Sequence, residues 1–176
     1  MSPVAEAPLA SRQHHLTISV VTREATEFVD LTPTLVALVE SLGVREGLLT
    51  VQTLHTTTGV MINEHEPLLL GDLKAMFERL APTGRYEHDD FERRTVNLTP
   101  DERVNGHAHC RAALLRTSES LPVVSGALTL GRWQRVFLVE LDGPRAQREV
   151  QVQVVGESDP ALVAEHPRQR QLVAVG

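Results

Sequence analysis

The stretch that most constrains the fold is residues 121–156, LPVVSGALTLGRWQRVFLVELDGPRAQREVQVQVVG. Apolar and β-branched residues recur there in short segments, and glycine and proline separate the segments. This composition is typical of successive strands joined by turns. Near the N-terminus, HLTISVVTREATEFVDLT alternates apolar and polar side chains and predicts one or two further strands, with TREATEF as the turn of a hairpin. The chain therefore predicts a sheet-rich domain.

Three segments between these stretches carry helix signals instead. TPTLVALVESLGV has Pro33 early and Gly43 at its end, and EPLLLGDLKAMFERLAP begins with Pro67 and repeats apolar residues at helical spacing. HAHCRAALLR predicts a third, short helix, for which Asn105 is a suitable N-cap. Between the first two helices, GLLTVQTLHTTTGVMIN is again strand-like and places His55 near a strand end.

Length, charge and cysteine content limit the class of protein. A chain of 176 residues suits one domain, for which we predict boundaries at 14–157, after a flexible arm at 1–13 and before a tail at 158–176. The net charge of -6 gives no basic surface for nucleic acid, so we expect no such partner. The chain has one cysteine, and no apolar run approaches the roughly 18 residues of a membrane span. We therefore expect a soluble, cytoplasmic protein with no membrane partner.

Two polar stretches allow both a structural and a functional interpretation. In HTTTGVMINEHE, Asn63 and Glu64 suit the capped start of the second helix. They also suit a pocket in which His55 is a ligand, Asn63 an orienting group and Glu64 a general base. In YEHDDF, His88 precedes two aspartates, which can raise its pKa or fix its tautomer for metal binding, and a solvated acidic loop explains the stretch equally well. The sequence leaves both alternatives open.

The stretch NGHAHC places His107, His109 and Cys110 at the start of the third helix. On a helix, positions i and i+2 diverge by about 200°, so the two histidines are not expected to chelate one ion. The exposed N–H groups of the first turn can bind an anion such as phosphate. We expect His109 to face a pocket and Cys110 to pack as a small buried residue.

The segment GRWQRVFLVELDGPR holds the only tryptophan of the chain, Trp133, which we expect in the core or at a subunit interface. Gln134 and Glu140 are six positions apart, so on a strand they share a face and can meet a ligand. The sequence has no phosphate-binding glycine loop, CxxC pair, HExxH or GxSxG motif. The sequence therefore offers no motif that would indicate nucleotide hydrolysis, a zinc ribbon or a serine hydrolase.

Taken together, HTTTGVMINEHEPLLLGDL, YEHDDFERRTVNLTPDERVNGHAHCRAALL and LGRWQRVFLVELDGPR resemble the YjbQ family, also described as secondary thiamine-phosphate synthase-like proteins. The resemblance runs from about His15 to Gly156. It implies a single compact α+β domain with antiparallel β-sheets and about three flanking helices. It also implies a homotrimer and a polar pocket that holds a metal or an anion.

The resemblance assigns site residues motif by motif. As metal ligands it implies His55, His88 and His109, and as catalytic residues Asn63, Glu64 and Gln134. Two positions depart from the family pattern: Arg116 stands where glycine is usual, and His65 replaces an acidic or amide residue. Arg116 is expected to alter a helix end and His65 the pocket rim.

These inferences predict a histidine-rich pocket for a divalent metal, with zinc the leading choice, and a small anionic or phosphorylated ligand. A weak thiamine-phosphate synthase activity follows from the resemblance alone. The alternative is a non-enzymatic trimeric binding or scaffolding module with a structural metal. The sequence leaves open whether the protein is an enzyme.

Overall fold

The computed structural model describes residues 10–158 and 169–174. These residues form nine strands and three helices, with a short 3₁₀ turn at Glu87–Asp89. In chain order the elements are β1 (Ala10–Thr22), β2 (Glu27–Asp30), α1 (Thr32–Leu42), β3 (Val44–Thr53), β4 (Thr58–Glu64), α2 (Pro67–Leu80), α3 (Gly106–Ala112), β5 (Ser118–Val124), β6 (Ala127–Leu128), β7 (Gln134–Glu140), β8 (Arg145–Ser158) and β9 (Gln169–Ala174).

The strands form two sheets. The larger has the order β6-β5-β3-β8-β1-β9 and the smaller has the order β2-β7-β4. All neighbouring strands are antiparallel except β1 and β9, which are parallel. The structure confirms the predicted α+β class. The hairpin predicted at TREATEF is wrong, because β1 pairs within the larger sheet while β2 pairs with β7 in the smaller one.

The smaller sheet is covered on both faces, which explains the uninterrupted apolar run of β7. Val136 and Leu138 face the main core, where the two sheets and α1 pack together. Phe137 and Val139 face a second apolar cluster, which also contains Phe77 of α2 and residues of α3. A strand buried on both faces needs apolar residues at successive positions rather than at alternate ones. This sandwich places α2 and α3 together on the outside of the smaller sheet.

The helix ends follow local sequence signals, with one correction. Gly43 ends α1 in a left-handed conformation with φ of 62°, as its position predicts. At the start of α2, the Glu66 carboxylate accepts the backbone N–H groups of Leu68 and Leu69 at 2.9 and 2.8 Å. These hydrogen bonds lower the pKa of Glu66. The cap is therefore Glu66 and not Asn63, which lies within β4.

The ends of the described region differ from the predicted arm and tail. β1 begins at Ala10, so residues 10–13 of the expected arm belong to a strand, while residues 1–9 lie outside the described residues. Residues 169–174 of the expected tail form β9 beside β1, and residues 159–168 lie outside the description. Among the described residues, no helix is both long and apolar enough to cross a membrane.

Candidate functional site

The connection between α2 and α3 folds back over the start of α3 and brings two histidines together. His88, in the 3₁₀ turn, lies against His109 of α3, with ring centroids 4.5 Å apart and ring planes inclined by 63°. Both side chains are half-buried, and neither has a hydrogen-bond partner within the described residues. The Nε2 atom of His88 is buried. Two imidazoles thus lie in edge contact, and their nitrogen atoms make no hydrogen bonds within the described residues.

The residue after His88 fixes the start of α3. The Oδ1 atom of Asp89 accepts the backbone N–H groups of both Asn105 and Gly106, each at 2.9 Å. Asn105 occupies the N-cap position, but its Oδ1 atom makes no capping bond, and its Nδ2 atom donates to Asp142 Oδ2 at 3.1 Å. The sequence predicts Asn105 as the cap, whereas Asp89 supplies the capping oxygen from outside the helix.

The neighbours of His109 on α3 point elsewhere. The His107 ring lies near Tyr86, with centroids 6.4 Å apart, so the two histidines diverge as the helical spacing predicts. Cys110 is exposed, and the prediction that it packs as a small buried residue is wrong. The buried face of this seven-residue helix is formed by Gly106, Ala108 and Arg111, and Cys110 lies outside that face.

Several buried polar atoms near the start of α3 have no hydrogen-bond partner among the described residues. They are His88 Nε2, Asp89 Oδ2, Asn105 Oδ1 and His107 Nδ1. Buried polar atoms in folded proteins are nearly always paired, so these four atoms are the ones that an added water molecule or ligand could pair with.

Burial also affects the protonation of His109. The pKa of His109 is lowered from its ordinary value of 6.5, first by burial and next by the charge of His88. The neutral form, which carries a free lone pair, is therefore favoured near neutral pH.

A cationic group lies beside His88. Arg94 is partly buried and donates from Nε and Nη2 to the backbone carbonyls of Val96 and Asn97 at 3.3 and 2.5 Å. Its Nη1 atom lies 3.5 Å from Glu102 Oε1. His88 and Arg94 line an open cavity of about 410 Å³ together with Arg93. Glu87 also lines the cavity and pairs with Arg93, so the cavity joins an imidazole to two arginines whose charges are partly balanced by glutamates.

His55 lies in a different environment. Its Nε2 atom accepts the backbone N–H of Glu149 at 2.8 Å, so the proton of the neutral ring is on Nδ1. Because the only free lone pair of a neutral imidazole is used in that bond, His55 is not available as a metal ligand in this conformation. Within the described residues, no three His, Cys, Asp or Glu side chains are arranged to hold a metal ion. The structure brings together two of the three predicted ligands, His88 and His109.

The predicted catalytic residues lie at one end of the smaller sheet. Glu64 of β4 pairs with Gln134 of β7, and both side chains are exposed. Asn63 Oδ1 accepts the backbone N–H of Glu64 at 2.9 Å, and Gln134 Oε1 accepts that of Gly131 at 2.7 Å. Among the described residues, no hydrogen bond joins this group to His88 or His109.

Two predictions for the β7 segment are corrected. Trp133 is 61% exposed and so is not in the core of the chain; the Arg132 guanidinium lies 4.6 Å from its ring centroid. Glu140 does not share a ligand with Gln134, because it is fully buried in an ion pair with Arg148.

Sequence reasoning missed Asp89, Arg94 and Asp142 as parts of the site. Asp142 receives hydrogen bonds from Asn105 and from Arg145, and it is buried. The aspartates beside His88 were noticed only as neighbours of that ring. The contact between residue 89 and residue 105 depends on the folding of a long connection, for which the sequence holds no local signal.

Residues 16–157 match the model of the family described as UPF0047 protein YjbQ-like. The chain belongs to this family. A UPF0047 protein of Archaeoglobus fulgidus is 40% identical over 134 residues, which are 76% of this chain and 95% of the relative. One from Methanothermobacter thermautotrophicus is 36% identical over 137 residues, 77% of this chain and 87% of the relative.

Solved structures support the UPF0047 assignment. A YbjQ-like protein of unknown function from Sulfolobus solfataricus superposes with a TM-score of 0.73 at 34% identity, covering 84% of this chain and 100% of that one. A hypothetical protein from Aeropyrum pernix gives a TM-score of 0.72 at 34% identity, covering 82% and 99%. These names state no activity.

Proposed function

We propose that His88 and His109 bind a divalent metal ion, with zinc the leading choice. The observation that carries the proposal is the pair of facing imidazoles, 4.5 Å apart between centroids, without hydrogen-bond partners in the described residues. Zinc accepts neutral imidazole nitrogens at about 2.0–2.1 Å, and catalytic zinc sites usually combine three protein ligands with one open coordination position. Two protein ligands leave room for oxygen atoms of a bound molecule.

We also propose that the bound molecule is small and anionic or phosphorylated. The cavity that His88 lines also contains Arg93 and Arg94. Arg94 is held by two backbone carbonyls, so its guanidinium is pre-positioned and can attract phosphate oxygens. When bound, a divalent ion supplies positive charge that stabilises a leaving phosphate or pyrophosphate.

For activity, we propose a weak thiamine-phosphate synthase-like reaction in a cytoplasmic homotrimer, on the basis of the family resemblance. An exposed thiol at Cys110 suits a reducing compartment. The alternative is a non-enzymatic trimeric module in which the metal has a structural role.

The metal proposal is tested by titrating ZnCl₂ into the metal-free chain by calorimetry. The wild type should bind one ion per chain, and His88→Ala and His109→Ala should each lose most of that binding. His15→Ala is a matched control, because His15 is an exposed histidine on β1. Wild-type affinity in the double variant His88→Ala/His109→Ala would refute the assignment.

A second assay distinguishes an enzyme from a non-enzymatic module with a structural metal. Pyrophosphate release from a pyrimidine pyrophosphate and a thiazole phosphate should be measured for wild type and His109→Ala. Release that depends on His109 supports the transferase. Zinc binding without any release favours the module.

A further inference from the structure

Asp89 connects the two elements that carry the facing histidines. His88 precedes it within the 3₁₀ turn, and its Oδ1 atom accepts the N–H groups of Asn105 and Gly106, where α3 begins. His109 follows Gly106 by three residues in the same helix. Among the described residues, these are the only hydrogen bonds between the turn and the start of α3.

We propose that Asp89 is a positioning residue that holds α3 against the 3₁₀ turn and so sets the separation of the His88 and His109 rings. The positioning role itself does not depend on the proposed function. Its consequence, that Asp89 controls metal affinity without being a ligand, rests on the proposed function. Metal affinity depends on such supporting groups because they fix the orientation of the ligands before the ion arrives.

Packing at Gly106 supports the same conclusion. A Cβ atom at Gly106 would lie 2.5 Å from Cβ of Tyr86 and 3.1 Å from Asp89 Oδ2, closer than atoms can approach without movement at Tyr86. The backbone of α3 therefore lies directly on the turn. The carboxylate can accept both N–H groups through one oxygen because the missing side chain allows this approach.

The second oxygen provides a way to test the role of the charge. Asp89 Oδ2 is buried and has no hydrogen-bond partner in the described residues. Asn has the same shape as Asp and keeps one carbonyl oxygen, so Asp89→Asn can still accept both N–H groups. Ala can accept neither, and the shorter hydroxyl of Ser cannot reach both.

The experiment has two readouts. The first is zinc titration together with the visible absorption spectrum of the Co²⁺-substituted protein, which reports ligand geometry. Asp89→Ala should lower zinc affinity by about 10–100-fold and alter the cobalt spectrum, while Asp89→Asn should restore most of the affinity. Asp90→Ala is the matched control, because Asp90 follows in the same segment and, among the described residues, its carboxylate contacts Arg93, through the backbone N–H and an ion pair at 3.7 Å, and not α3.

The second readout needs no metal. Nuclear Overhauser contacts between the ring protons of His88 and His109 should be present in the wild type and in Asp89→Asn, and absent in Asp89→Ala. If Asp89→Ala does not fold, Asp89→Ser replaces it with the same expectation. Unchanged ring contacts in a folded Ala or Ser variant would overturn the positioning role. A wild type that shows the ring contacts but binds no zinc would overturn the proposed function alone.

Discussion

Arg148 and Glu140 form a two-point ion pair inside the protein: the Nε and Nη2 atoms of Arg148 each donate to a different carboxylate oxygen at 2.6 Å. Glu140 is fully buried, and Arg148 is 6% exposed. Thr22 adds a hydrogen bond at 3.0 Å. Burial alone would raise the pKa of Glu140, but the Arg148 hydrogen bond and the other donors hold it below its ordinary value of 4.5. The pair is therefore ionised at neutral pH.

Replacing Glu140 by Gln should strongly destabilise the fold, because Arg148 would keep its charge in a buried site without a counter-ion. Breaking a buried ion pair at one partner costs about 3–5 kcal/mol in the free energy of unfolding. Urea denaturation measures this change. Glu24→Gln is the control, since Glu24 pairs with Lys74 at the surface and its loss should have little effect. Equal losses in the two variants would contradict the assigned role of Glu140.

The sequence predicts the elements whose signals are local. Gly43 ends α1 where expected, since a residue without Cβ adopts positive φ easily. The β composition of residues 121–156 appears in the structure as four strands, β5 to β8. The wrong prediction of Asn63 as the cap of α2 also has a local cause. Asn63 is a good capping residue, but its strand continues to Glu64, and Glu66 lies nearer the first turn of the helix.

The candidate site is less predictable because its contacts are long-range. The motif pattern selects His88 and His109 individually, but their separation depends on Asp89 reaching Asn105 across an irregular connection. His55 looks equally suitable in the sequence, and only the fold shows that its Nε2 atom is used by the backbone of β8. Hydrogen bonds of this kind leave no periodic pattern in the residues that form them.

Two glycine substitutions should have opposite effects on stability. Gly106→Ala places a Cβ 2.5 Å from Tyr86 Cβ, so it should destabilise the fold and separate His88 from His109. Gly71→Ala lies within α2, where a new Cβ meets nothing within 4 Å. There the higher helix propensity of Ala should stabilise the fold by up to about 1 kcal/mol. Thermal unfolding of both variants checks this prediction, and a stabilised Gly106→Ala would contradict the packing.

The stability of the protein should fall in mildly acidic solution partly because of His55. Its pKa lies below 6.5, first because of burial and then because of Arg148 and Arg145, although Glu140 and Glu149 oppose the shift. As the pH falls through 6.5, the unfolded chain takes up a proton before the folded one does, so the free energy of unfolding decreases. The loss is complete below the folded pKa.

His55→Gln removes this titration. Between about pH 7.5 and about pH 5.5, the midpoint of urea unfolding should shift less in His55→Gln than in the wild type. Burial also lowers the pKa of His107 and His109, so part of the dependence should remain. His15→Gln, at an exposed histidine on β1, is the matched control for the loss of one imidazole. An identical shift in His55→Gln and wild type would contradict the role of His55.

The proposed homotrimer predicts the environment of Trp133. This side chain is 61% exposed in the single chain, and apolar aromatic surface of this kind is enriched at subunit interfaces. Light scattering should give three times the chain mass, and Trp133→Ala should weaken the assembly on dilution. A monodisperse monomer at micromolar concentration would contradict the proposal.

Cys110 and His109 are neighbours with different expected roles. Chemical modification and substitution can distinguish these roles. Because Cys110 is exposed, a thiol reagent such as dithionitrobenzoate should modify the native protein without denaturant. Successive helical positions lie about 100° apart, so a thiol beside His109 does not point at the ion that the imidazole would bind. Cys110→Ala should therefore keep wild-type zinc affinity, while His109→Ala loses it. If Cys110→Ala abolished zinc binding and His109→Ala retained it, the thiol would be the ligand and the facing imidazoles would have another role.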